Sequence, residues 1–242
     1  MTTAAAASRQ DRVDASLSAL LVVQFLTLFA AIPLSALDPA GHLLLDLCHL
    51  GFAALCVGVL TRHGGVRTAL LICLALLALG PAGDGWLSAR LGISTWRMHD
   101  VIALTAFCFN GLVTALVARH VFAAGRVNAH RIQGAVLLYL NAAAMFTIAY
   151  GMVATHVPGA FVPATGPPLP AAQGARMASL SYFSLETITT AGYGDLVPIH
   201  PFARSLANLE AVFGQLFPAT LLARLVGLHL AGRRDRPEGD GA

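Results

Sequence analysis

Six long apolar runs, at residues 15–37, 41–60, 67–87, 99–122, 133–155 and 202–230, are separated by short polar connections. A bilayer core about 30 Å thick takes about 20 residues of helix, and lipid offers no partner to a backbone N–H or C=O, so each run predicts a membrane-spanning helix. A seventh apolar segment, 178–190, is too short to cross and predicts a helix that enters and leaves on one side. The fold class expected is therefore all-α integral membrane: six transmembrane helices with a re-entrant helix and loop between the fifth and sixth.

The connections carry the topology. Arg9 and Arg12, then Arg62 and Arg67, then Arg119, Arg126 and Arg131, then Arg233, Arg234 and Arg236 recur at every second connection, whereas the other side holds Arg90, Arg97, Arg176 and Arg204. Cationic loops stay in the cytoplasm, which places both termini there in a cell inner (plasma) membrane, multi-pass. A crossing at 178–190 would move the last arginine cluster outside, so the re-entrant reading and the charge pattern require each other. The charged start before residue 15 also fits a signal peptide, but the run 15–37 is long enough to span and lacks a clear small-residue cleavage site, so it is kept as a helix.

Composition agrees with this picture. Of 242 residues 57% are hydrophobic and 11% charged, too apolar for a soluble domain. All 15 basic residues are arginine and the net charge is +3, which leaves no basic block for nucleic acid. Cys48, Cys56, Cys73 and Cys108 lie inside apolar runs without metal-ligand spacing and read as small buried hydrophobes. No nucleophile and base converge, so no enzyme is expected, and no cofactor. The proline-rich and glycine-rich loop 158–174 argues against regular helix or strand, and only about a dozen residues follow Leu230.

The stretch 181–198, SYFSLETITTAGYGDLVP, carries the chemistry. Gly192 and Gly194 flank Tyr193; glycine reaches positive φ without steric cost, so the backbone can alternate in handedness and aim successive carbonyls to one side. Four such rows around an axis replace the water shell of a dehydrated cation, with the Thr190 hydroxyl as the innermost ring. A half-helix at 179–189 directs its C-terminal partial negative charge toward the same cation.

This segment resembles the pore loop of the potassium channel family, whose signature TxxTxGYGD is matched by Thr187, Thr190, Gly192, Tyr193, Gly194 and Asp195. Residues 130–150 are similar to the outer pore helix of small bacterial channels with four additional N-terminal spans, and the likeness runs from Arg126 to about Gly227. The resemblance implies a homotetrameric potassium-selective channel in a lipid bilayer, with K+ held by the backbone carbonyls of Thr190, Ala191, Gly192 and Tyr193, the Thr190 hydroxyl, and Gly194 completing the filter. It also implies that Tyr182 and Phe183 pack against Tyr193 as a cuff, and that Glu186 and Asp195 share a hydrogen bond behind the filter with one of them protonated. Ala191 stands where the family most often has valine, which opens the alternative of a non-selective monovalent cation channel.

The expected domains are a cytoplasmic segment 1–14, a four-helix membrane domain 15–125, a pore domain 126–231 and a short cytoplasmic tail 232–242. Gly214, twenty residues beyond Gly194, and Pro218 one turn later form a plausible gating hinge, with close helix packing as the competing use of the glycine. Glu210 is a carboxylate inside an apolar helix, costly enough to be a functional candidate unless it bonds to the pore helix. Arg224 reads as an anchor at the cytoplasmic surface. The fourth span carries only Arg119, near its end, whereas a voltage sensor needs several arginines, so voltage dependence is expected to be weak or absent.

Overall fold

A computed structural model describes residues 16–60, 64–82, 95–122 and 129–234 of the chain. The expected N-terminal segment, Arg62, Arg90, the 125/126 domain boundary with Arg126, and Arg236 lie outside the described residues.

Among the described residues, seven helices and one two-stranded sheet follow in order. Helix α1 occupies Ser16–Ser35 and passes through a π turn at Thr27–Ala31. That turn directly precedes Pro33, whose missing N–H and bulky ring interrupt the normal ladder, and the wider turn absorbs the misfit. Helix α2, Pro39–Leu55, starts on an Asp38 cap that accepts the Ala40 N–H at 3.0 Å, and it runs on through a second π turn at Cys56–Leu60. Then come α3 (Gly64–Ala82), α4 (Thr95–Val121) and α5 (Ala129–His156). Strand β1 (Phe161–Pro163), helix α6 (Gln173–Ile188), strand β2 (Leu196–Pro198) and helix α7 (Pro201–Arg234) complete the chain.

Among the described residues, Ser16–Ser35, His99–Val121, His130–His156 and Pro201–Arg224 are long and apolar enough to cross a membrane. The second and third expected spans fall on α2 with its π turn, residues 39–60, and on α3, Gly64–Ala82, whose apolar parts are Leu43–Gly58 and Gly64–Leu77. Between the last two long helices sits α6, 16 residues in length.

Two expectations about the loops are corrected. Residues 161–163 of the proline-rich loop form a strand, pairing antiparallel with β2 in the register Phe161 to Pro198, Val162 to Val197 and Pro163 to Leu196. The strand is possible because its prolines sit at the ends of a minimal ladder, where a missing N–H costs least. Helix α6 begins at Gln173, earlier than the apolar segment at 178, because its first turns are polar and lie outside the hydrophobic signal. Helix α7 continues to Arg234.

Two apolar clusters hold the molecule. Leu17, Leu20, Phe52, Cys56, Leu70, Phe109, Val113, Val117 and Leu137 pack α1 through α5 together. Tyr150, Phe161, Leu180, Phe183, Leu196 and Ala203 surround the outer part of α6. Cys48 and Cys56 are buried as expected, but Cys108 is exposed on α4. A helix facing lipid satisfies an apolar side chain without burying it in protein.

Candidate functional site: the pore loop

Helix α6 buries Leu180, Ser181, Phe183, Ser184, Glu186 and Ile188, and it lies against both α5 and α7. It ends at Thr189, and Thr190 takes the left-handed conformation with φ 59°. The Ala191 N–H returns to the Glu186 carbonyl at 2.8 Å and the Thr190 N–H to the Thr187 carbonyl at 3.0 Å. These are the paired bonds of a Schellman cap, whose left-handed position is usually glycine. Here it is a β-branched threonine, a conformation of real steric cost.

The cap starts an alternation. Positive φ recurs at Gly192 (57°) and Gly194 (75°), every second residue from Thr190. The Tyr193 N–H meets the Glu186 Oε2 at 3.2 Å, and the Gly192 N–H leans on the Glu186 carbonyl at 3.3 Å. In a trans peptide the carbonyl points opposite to the following N–H. With the amides of residues 191, 192 and 193 turned onto Glu186, the carbonyls of Thr190, Ala191 and Gly192 point away from α6, to one side. Residues 191–195 are all exposed in the single subunit. Downstream, the Asp195 carbonyl accepts the Ala164 N–H at 2.8 Å, so the sheet fastens the outer end of the loop.

The expected supports divide. Tyr182 stacks on Tyr193, with ring centroids 6.3 Å apart and planes 11° from parallel. Phe183 does not join that cuff. It faces the other way, 5.1 Å from the Tyr150 ring and 5.5 Å from the Phe161 ring, because adjacent residues of a helix point about 100° apart. The Glu186 carboxylate accepts the Tyr193 amide N–H. Thr187 contributes its carbonyl to the cap.

Beneath the loop, three contacts fix the end of α6. The Tyr139 hydroxyl donates to the Ile188 carbonyl at 2.6 Å, and a Cβ on Gly214 would fall 1.9 Å from that same oxygen. Gly214 is therefore a point of close approach between α7 and α6, which is the packing use of this glycine. Gln215, the next residue, donates its amide to the Thr190 hydroxyl at 3.2 Å. Pro218 lies inside the continuous α7. Lacking an N–H, it leaves the Gly214 carbonyl without its intrahelical donor.

Glu210 is fully buried and does bond to α6, meeting the Ser184 hydroxyl at 2.5 Å and taking the Tyr150 hydroxyl from α5. At the far end of α7, Arg224 donates to the Phe122 carbonyl at 2.9 Å and lies over the Phe122 ring. Sequence reasoning did not find Tyr139, Tyr150, Ser184 or Gln215. The available signal was a polar tip or amide inside an otherwise apolar helix.

Residues 171–228, which contain this site, match the family described as Ion channel. A stretch of 83 residues is 35% identical to the inward rectifier potassium channel Kirbac3.1 of Paramagnetospirillum magnetotacticum, covering 33% of this chain and 23% of that protein. The likeness lies in this segment: it is similar to ion channels, among them a bacterial potassium channel. The chain spans about a quarter of the length of the curated relative it matches, and no solved structure matches it.

Proposed function

We propose that four copies of this chain assemble around one axis as a potassium-selective channel that passes K+ down its electrochemical gradient. The reading is carried by one observation: positive φ at Thr190, Gly192 and Gly194 while the intervening amides turn back onto Glu186. One subunit offers a single row of carbonyls, and a dehydrated cation needs oxygens on every side, so the function requires symmetry-related copies. Thr190, Ala191, Gly192 and Tyr193 supply the carbonyl ligands, and the Thr190 hydroxyl supplies the inner ring. The arginine pattern supports six spans in the plasma membrane with both termini in the cytoplasm.

Opening is assigned to the turn of α7 between Gly214 and Pro218, where the helix lacks one backbone bond. Voltage contributes little, because each charge moved through the field supplies only about 2.3 kcal/mol per 100 mV and α4 carries Arg119 alone within its apolar span.

Reversal potentials of the purified protein in planar bilayers, under opposed K+ and Na+ gradients, test the reading. The expected result is a shift toward the K+ potential. Equal permeability favours the second reading, a non-selective monovalent cation channel, for which the motive is the small Ala191 side chain and the space it leaves behind the filter. Conduction by an isolated monomer would defeat both.

A further inference from the structure

Glu210 sits where three helices meet, and its hydrogen-bond partners fix its chemical state by a count of protons. Three oxygen–oxygen contacts form one chain: Tyr150 hydroxyl to Glu210 Oε2, Ser184 hydroxyl to Glu210 Oε1 at 2.5 Å, and Ser184 hydroxyl to the Ala143 carbonyl at 2.7 Å. Each contact needs a proton between its oxygens, since two lone pairs at that separation repel. Tyr150 supplies one and Ser184 supplies one, while the Ala143 carbonyl has none to give. The Thr147 hydroxyl, which also reaches the Ala143 carbonyl at 2.9 Å, uses its own proton there. The missing third proton belongs to the carboxyl itself. Glu210 Oε1–H then donates to Ser184, Ser184 donates to the Ala143 carbonyl, and Oε2 accepts from Tyr150.

We propose that Glu210 works as a neutral carboxylic acid, a positioning residue that sets the pore helix against the inner and outer helices and thereby places the filter. Its surroundings fit that state. The groups facing it are Tyr150, and more distantly Tyr139, from α5, and Ser184 from α6; among the described residues no arginine or histidine bonds to it. An ionised carboxylate enclosed at 0% exposure without a cation would carry a large desolvation penalty, whereas the neutral acid satisfies both of its oxygens. The position matters for the filter because Glu210 lies one turn before Gly214 and Ser184 one turn before Ile188. Fixing the first pair fixes the register in which Gly214 meets the Ile188 carbonyl.

The placement of the filter rests on the channel reading, but the protonation state does not, and the test separates them. Infrared difference spectra of the full-length protein in lipid, wild type minus Glu210→Gln, are expected to show the C=O stretch of a protonated carboxyl at neutral pH. Carboxylate bands in its place would overturn the proposal. Should Glu210→Gln fail to fold, Ser184→Ala provides the second measurement. It removes the acceptor of the acid proton and is expected to shift the acid band to higher frequency, and an unmoved band counts against the assignment.

Rubidium flux in liposomes reads the positioning role. Glu210→Gln keeps an oxygen acceptor for Tyr150 and an N–H donor for Ser184, so flux is expected within about twofold of wild type. Glu210→Ala leaves both hydroxyls without that partner and is expected to lose about tenfold. Equal loss in the two variants would mean that a charge is required, and would sink the neutral-acid role. An acid band in a wild-type protein that passes no rubidium would defeat the channel reading and leave the protonation state standing.

Discussion

Between α5, α6 and α7, side-chain hydrogen bonds cross from one helix to another: Tyr139 to the Ile188 carbonyl, Tyr150 and Ser184 to Glu210, and Gln215 to the Thr190 hydroxyl. Across α1 to α4 the packing is apolar, through Leu20, Phe52, Leu70, Phe109 and Val113, and the hydroxyls of Thr27, Thr68 and Thr105 bond back to carbonyls of their own helices. The contrast follows from what each region must hold still. In lipid the hydrophobic effect does little to press helices together, so apolar side chains set a contact without fixing its register. Hydrogen bonds have direction and length, and they sit where carbonyls have to be aimed.

The sharpest way to break this contrast is to attack the aimed backbone itself. Gly192 has φ 57°, and no atom lies within 4 Å of where its Cβ would be. A Gly192→Ala change therefore meets no clash, yet it forces an L-residue into the left-handed region at about 1–2 kcal/mol per subunit. The expected outcome is loss of K+-selective flux with the helices and their assembly intact, read by rubidium uptake beside size-exclusion chromatography. Selective conduction in the variant would mean that the alternation at residues 190, 192 and 194 is not what holds the ion.

Next in size is Gly214→Ala. The new Cβ would fall 1.9 Å from the Ile188 carbonyl oxygen, an overlap that only a backbone shift can relieve. Overpacking of this kind costs about 1–3 kcal/mol, and here it falls on the joint between pore helix and inner helix. Lower thermal stability in detergent is expected, with altered gating in any channels that assemble. A variant as stable as wild type would show that the joint is soft and would weaken the contrast between the two halves.

These two glycines also show what the sequence could and could not reveal. The left-handed Gly192 was legible because glycine reaches positive φ without steric cost. The left-handed Thr190 was not, since nothing about a threonine advertises the conformation; it comes from the Schellman cap, which depends on where α6 ends. The apolar runs marked α1, α4, α5 and α7 closely. They missed the polar first turns of α6 and the strand at 161–163, neither of which has a hydrophobic signature. Glu210 was visible as a candidate, but Tyr150 and Ser184 were not, because partners 60 and 26 residues away share no local pattern with it.

The third test addresses the seam between the halves. Asn141 of α5 is buried and donates to the Asn110 carbonyl at 3.1 Å and the Thr114 hydroxyl at 2.6 Å, both on α4, while its own Oδ1 has no partner. Bonds between membrane helices average about 0.6 kcal/mol, and Asn141→Leu also removes the unpaired oxygen. Thermal stability is expected to fall by under about 1 kcal/mol with selectivity unchanged. A change in reversal potential would show that this seam transmits geometry to the filter and that the two halves are less separate than their chemistry implies.

The smallest effect is expected at the outer end of the same seam. His156 of α5 and Asp100 of α4 lie 3.0 Å apart, with side chains 51% and 27% exposed. Water and counter-ions compete for a pair so placed, and exposed pairs contribute about 0.2–1 kcal/mol where they are measured. The pair also lies far along α5 from Tyr139, which grips the pore helix. Asp100→Asn keeps the shape and an acceptor oxygen for the ring N–H, so both melting temperature and rubidium flux should match wild type within error. A measurable loss of flux would mean that an ion pair at the lipid–water boundary steers α5. The N-terminal helices would then act on the pore through charge as well as through packing.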